Sequence, residues 1–342
     1  MSRHAARSSL AFALALASSS CGTQTEVWQL TDFRILGVRA SATSEPARNS
    51  PRRGERATLE LVTADTRMRN VRVAWLIVDS AAFALPGAST DGGASSGGLR
   101  LPSIDLCDVP EFALDLPGVS LRCGERSEFT VPSTGGPDAR GRESLTVFGM
   151  ACAGGRIRVI GSNSEAGTTN TGGVPFECRG EGSRGWPFQY TLLVGSTAGN
   201  TGNDNMHPRI TGLRAGPRGG ALAPVTTESP PTIAACADQR RDTQCPRLRV
   251  EVDFNEGARE RYPEIDPNTQ MLVTRDERIV TGFIVNRGRL SGGFRTDSNA
   301  EPISVMGNDF LPPAEAGDVR LLVYTTDGRG GFDSREILVR VQ

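Results

Sequence analysis

Residues 34–40 read RILGVRA and residues 209–215 read RITGLRA. The phrases lie 175 positions apart and agree at five of seven positions, with Leu36 matched by Thr211 and Val38 by Leu213. Each copy precedes a weaker stretch and then a clear alternating run. Each therefore reads as the first strand of a unit, and the chain as two copies of one β-rich unit. Ile35 to Val38, like Ile210 to Leu213, is an offset of three, which a regular strand would send to opposite faces. Gly37 and Gly212 sit just before the second apolar residue and predict a bulge that returns both side chains to the core. The arginines of each copy then fall on the solvent face.

Outward from the phrases, alternation dominates. Ala57, Leu59 and Leu61 alternate with polar neighbours; Val71, Val73, Trp75 and Ile77 alternate with Arg72, Ala74 and Leu76. Leu248, Val250, Val252 and Phe254 do so against Arg247, Arg249, Glu251 and Asp253. A period of two over such lengths predicts half-buried strands with one face on a core. Phe129 and Val131, residues 145–151 and residues 188–192 supply further strands of the first unit. Residues 279–285 give the next strand of the second unit, with Phe283 in the place of Trp75. The runs at 319–325 and 337–341 flank Asp327-Gly328-Arg329-Gly330-Gly331, a strong hairpin signal. Residues 80–98 and 162–173 read as polar or Gly/Ser-rich loops. No stretch after residue 21 shows convincing 3.6-residue periodicity. The expected fold is all-β, two tandem sandwiches spanning residues 29–196 and 208–342, joined by a linker at 197–207.

Composition agrees. The chain has 342 residues, and its 40 glycines and 21 prolines exceed the roughly 12% usual in soluble proteins, as turn-rich β structure requires. Every basic residue is arginine, which excludes a P-loop lysine, a Schiff-base lysine and a Ser-Lys dyad. The net charge of −1, without any long basic run, gives no nucleic-acid footprint.

The first 20 residues read as an export signal. Arg3 and Arg7 form a positive region, and residues 10–17 an apolar run too short to span a bilayer. Ser18-Ser19-Ser20-Cys21 follows and resembles a bacterial lipobox. That resemblance implies that Cys21 is lipidated through its sulfur, becomes the mature N-terminus and leaves residues 21–28 as a tether. The competing reading is ordinary secretion with cleavage after Ala15-Leu16-Ala17. Reserving Cys21 leaves Cys107, Cys123, Cys152, Cys178, Cys236 and Cys245, and six thiols in an exported chain suggest three disulfides. Fifteen connectivities are open; pairing neighbours keeps each bridge within one unit. Lipid would be the membrane attachment, since no later apolar run reaches 18 residues.

The catalytic motifs fail on context. Only His207 remains beyond the signal region, and it falls in the linker. Gly93-Ala94-Ser95-Ser96-Gly97 matches G-x-S-x-G inside a Gly/Ser run without strand-to-helix context. Gly180-Glu181-Gly182-Ser183-Arg184-Gly185 matches G-x-G-x-x-G, but Trp186-Pro187-Phe188 stands where a helix should begin. Zinc lacks a C-x-x-C pair and a second histidine. Plentiful acids leave a carboxylate pair open, though aromatic residues make up only 6% of the chain, poor material for a sugar-stacking cleft. Asn203-Asp204-Asn205 resembles the Asn-Asp-Asn core of cadherin interdomain calcium sites. The resemblance implies calcium stiffening the junction through hard oxygen ligands; the plain reading is that Asn and Asp favour turns.

A tryptophan centred on the third strand resembles the core Trp of immunoglobulin-like sandwiches. The chain as a whole resembles exported bacterial lipoproteins with paired Ig-like domains. That likeness implies surface or periplasmic display and brings no catalytic residues; the expected location is the outer membrane, with an envelope protein or glycan as partner. The expectation is a non-enzymatic binding or spacer module that needs no cofactor. The alternative is a carbohydrate-active or other hydrolytic accessory enzyme with a carboxylate pair, recognisable by acids converging in a concave pocket.

Overall fold

The computed structural model describes residues 28–79, 105–108, 112–116, 119–133, 143–159, 176–195, 204–237, 244–266, 268–291, 294–296 and 306–342. Among these the protein is all-β, without an α-helix. The first half contributes β1 (Arg34–Ala42), β2 (Arg56–Ala64), β3 (Val71–Asp79), β4 (Asp105–Leu106), β5 (Ala113–Leu116), β6 (Val119–Cys123), β7 (Arg126–Thr130), β8 (Glu143–Ala153), β9 (Arg156–Val159), β10 (Phe176–Arg179) and β11 (Arg184–Val194). The second contributes β12 (Ile210–Pro217), β13 (Ala223–Pro224), β14 (Thr232–Ile233), β15 (Leu248–Phe254), β16 (Arg261–Ile265), β17 (Leu272–Asp276), β18 (Val280–Val285), β19 (Arg289–Leu290), β20 (Phe294–Thr296), β21 (Met306–Leu311), β22 (Gly317–Thr326) and β23 (Phe332–Val341).

Among the described residues no sheet mixes strands from the two halves, and the principal strands follow the same order in both. In the first half β1-β2-β7 faces β11-β8-β3-β6-β5; in the second, β12-β15-β21 lies within one sheet and β23-β22-β18-β20 within the other. Each half also sends the segment after its first strand across to run parallel with its last strand. Arg52 bridges Gly195 in this way, and β14 pairs with β23.

The two copies of the repeated phrase open the two halves and share one irregularity. The β1–β2 register shifts between Ile35 and Gly37, and the β12–β15 register between Ile210 and Gly212. The unpaired residues are thus Leu36 and Thr211. Val38 and Leu213 are buried after the shift, and Ile210 is fully so, with Ile35 packed against the same core as Val38. The bulge converts an offset of three into one face, as the apolar spacing required. Neither glycine has a left-handed φ.

Each half has its own core. Trp75 is fully buried at the centre of the first, its indole N–H donating to the Gly124 carbonyl at 2.7 Å and its ring edge-on to Phe188 at 5.2 Å. Phe188 crosses Gly149 on the neighbouring strand, where a Cβ would lie 2.1 Å from the ring. Phe283 is the fully buried aromatic on the corresponding strand of the second half.

β3 departs from the expected half-buried strand. Val73, Trp75 and Ile77 face the sandwich core, while Ala74, Leu76 and Val78 are buried on the opposite face beneath a small sheet, β10-β9-β4. Ile157, Val159 and Phe176 supply the covering apolar surface. The cysteines are joined in the neighbouring pairs Cys107–Cys123, Cys152–Cys178 and Cys236–Cys245, with Cα–Cα distances of 5.2, 5.4 and 5.3 Å. The first two link the covering layer to β6 and β8, so they staple a sheet too small to hold itself. The third closes the segment before β15.

Residues 21–27 of the expected tether lie outside the described residues, and just past it the chain enters against the second half. Gln29 forms a parallel bridge with Val285, and Leu30 packs with Ile284 and Leu322 of the second half. Cys21, Ser95 and Asn203 lie outside the described residues.

Candidate functional site

The densest polar chemistry lies where the halves meet, built around the segment expected to be a linker. Asp204 to His207 runs as a short extended piece against residues 47–50. The Asn49 amide donates to the Asn205 carbonyl at 2.9 Å, the Asn205 amide to Ser50 Oγ at 2.8 Å, and the His207 amide to the Ala47 carbonyl at 2.8 Å. Asn205 is 0% and His207 6% exposed. Polar residues before a proline read as solvated linker because their covering comes from two distant stretches of chain.

The hairpin between β22 and β23 enters from the second half. Asp327 Oδ1 accepts the amides of Arg329 and Gly331, both at 2.7 Å, and Oδ2 accepts Asn205 Nδ2 at 3.2 Å. The Tyr190 hydroxyl on β11 donates to the Gly330 carbonyl at 3.0 Å. Phe332 then lies over Gly37, where a Cβ would come within 2.6 Å of its ring. The bulged Leu36 packs against the cluster of Leu30, Ala64, Ile284 and Leu322, which draws on both halves.

Arg329 sits among acids. Its guanidinium reaches Glu277 at 3.1 Å, Glu260 at 3.6 Å and the Asp204 carbonyl at 3.3 Å, and it stacks on Tyr262 with its centre 4.5 Å from the ring centroid. Burial raises the pKa of Glu260 and Asp327, and pushes Glu277 up to about 8, with the Asp327 charge adding to the effect. With one arginine among three withdrawn carboxyls, Glu277 is the acid that keeps its proton near neutral pH.

The histidine is wired for structure. The Phe332 amide donates to His207 Nδ1 at 3.0 Å, so the ring proton sits on Nε2. Nε2 then donates to Ser41 Oγ at 3.0 Å. A Ser–His pair exists, but the nitrogen facing the hydroxyl already carries its proton and cannot take another from serine as a general base. Burial, with Arg39 nearby, holds the ring pKa down to about 3.

Of the linker residues considered for calcium, Asp204 accepts Arg52 Nη2 on its Oδ2 at 2.7 Å. No group of three or more His, Cys, Asp or Glu side chains that could hold a metal occurs among the described residues. The glycine run at 180–185 is a turn, with Gly180 and Gly182 at φ of 139° and 68° and Ser183 Oγ donating to the Gly180 carbonyl, leading straight into β11. It does not open a helix. The converging acids, Glu260, Glu277 and Asp327, were not singled out from the sequence. Cavities open to solvent among the described residues include one of about 450 Å³ between β12 and β23 and one of about 210 Å³ over Arg39, Glu60 and Arg126. Neither is lined by the three acids.

Comparison with family models and with curated proteins finds no match. Among solved structures, the chain is similar to the Yersinia pseudotuberculosis adhesin InvE at 10% identity, over 90% of this chain and 60% of that one, with a TM-score of 0.18. The chain thus spans about 60% of that adhesin's length, and a likeness of this degree carries no argument about function.

Proposed function

We propose that this protein is a non-enzymatic, lipid-anchored component of the cell envelope whose two immunoglobulin-like halves form one stiff binding or spacer module. The observation that carries the reading is the junction: a segment with the composition of a linker is buried and bonded to both halves. Relative motion is the default for tandem domains unless the interface is well packed. Here Arg52–Asp204, Ser41–His207–Phe332, Tyr190–Gly330 and the Leu36 cluster all oppose it. The strand orders and the crossing of each first strand to its last support the Ig-like assignment. Three bridged cysteine pairs support an oxidising compartment. The lipid anchor at Cys21 and placement at the outer membrane rest on the signal-like N-terminus.

Native-state hydrogen exchange tests the stiffness. The Asn205 and His207 amides are expected to exchange as slowly as those of β3 and β18. Exchange at loop rates would mean hinged halves and would defeat the module reading. Mass spectrometry of the mature protein tests the anchor, with a lipid-modified Cys21 expected and an unmodified N-terminus elsewhere counting against it.

A further inference from the structure

The halves repeat one strand plan, yet they use the same place differently. In the first half, the rim between β1 and β11 is covered: Phe332 lies over Gly37, Leu36 packs under second-half residues, and Tyr190 holds the Gly330 carbonyl. The corresponding rim of the second half lies between β12 and β23. Thr211 stands for Leu36 and Gly212 for Gly37, and β23 takes the place of β11. This rim holds the cavity of about 450 Å³, lined among others by Gly212, Leu213, Val225, Ile337 and Leu338. A Cβ at Gly212 would meet nothing closer than Asp253 Oδ2 at 3.5 Å, so among the described residues the glycine has no ring over it.

The edge beside the cavity is unfinished. Arg340 and Gln342 donate their amides outward to Pro231 and Ile233 on the β14 side. By the alternation of a strand, the N–H and C=O of Leu338 and Glu336 point the same way. The segment that pairs with β23 turns off at Pro230–Pro231, so those four groups meet no strand among the described residues. Leu338 is 46% exposed beside them. A rim with a bare glycine, apolar walls and an open ladder matches extended main chain with an aromatic side chain.

We propose that the groove between β12 and β23 docks an extended segment of a partner protein that seats an aromatic side chain over Gly212 and pairs with the main chain of Glu336 and Leu338. The inference rests on the reading of the protein as a binding module, and it names the surface. A second copy of this chain is the poorer occupant, because the hairpin that fills the first-half rim is already engaged within its own chain.

The probe is a synthetic peptide with the sequence of residues 328–337, the segment that covers the first-half rim, titrated into the full chain by amide NMR. Saturable shifts are expected at Gly212, Glu336 and Leu338, weakened at least tenfold when the peptide phenylalanine is replaced by alanine. Leu338→Lys places a charge on the edge and Gly212→Leu fills the ring position. Each is expected to weaken binding at least tenfold with an unchanged melting midpoint, and Leu338→Lys suffices if the other fails to fold. Three results overturn the proposal: shifts absent from these amides with this peptide and with one of alternating Phe and Thr; binding indifferent to Leu338→Lys; or sedimentation showing a dimer that the same change dissolves. Any of these with Asn205 and His207 still protected would overturn the groove while leaving the stiff module intact.

Discussion

His207 couples the junction to pH, and the coupling can be isolated. Its imidazole titrates near 6.5 in an unfolded chain and at about 3 in the fold, because burial and Arg39 oppose the charge. A base held neutral in the fold contributes stability that is complete above the unfolded value and is lost as the pH falls below it. Between pH 7.5 and pH 5 that loss comes to about 2 kcal/mol. Glu277 works the other way. Raised from 4.5 to about 8, it keeps its proton in the fold, so stability grows as pH falls across the same interval, by about 3 kcal/mol. Asp327 and Glu260, also raised by burial, add to that gain. The wild-type protein therefore hides the histidine, and a variant is needed to expose it. His207→Asn keeps a side-chain acceptor for the Phe332 amide and removes the titrating group, while all three acids remain. Urea unfolding followed by tryptophan fluorescence at pH 7.5 and pH 5 gives two free energies for each protein. On acidification the variant should gain about 2 kcal/mol more than the wild type, whatever its absolute stability. Parallel changes in the two proteins, within about 0.5 kcal/mol, would refute a buried neutral His207.

Two further predictions follow from the packing. Gly37→Ala drives a methyl group into Phe332 and should cost about 1–3 kcal/mol in urea unfolding, whereas Gly212→Ala at the matching position should stay within about 0.5 kcal/mol; equal costs would deny the different use of the two rims. Replacing Cys152 and Cys178 together by alanine should cost about 2–5 kcal/mol and release the β9 and β10 amides to faster exchange, and unaltered protection there would show that the small sheet needs no staple.

What the sequence made legible was whatever is repeated or local. The phrase at 34–40 and 209–215 carried the strand, the bulge and the equivalence of the halves, because an apolar offset of three can be reconciled with one core in few ways. Asp327 to Gly331 was readable as a turn for the same reason: its geometry depends on its own residues. The covering layer on β3 was half legible. Ala74, Leu76 and Val78 are apolar where a solvated face should be polar, so continuous apolarity was already the signal of a strand buried on both sides. The junction was not legible, and the cause is physical. Asn205, His207, Glu277 and Arg329 are hydrophilic, and nothing in their neighbours announces burial. Their environment is made by contacts that span from 52 to more than 120 residues of chain. Once made, that environment gives meaning to differences the repeat had concealed. Leu36 and Thr211 occupy the same bulge, yet the first is apolar because the second half lies on it, and the second is polar because the groove beside it is open. The one position where the phrases diverge in character, more than the five where they agree, therefore separates the rim that is already used from the rim that is free.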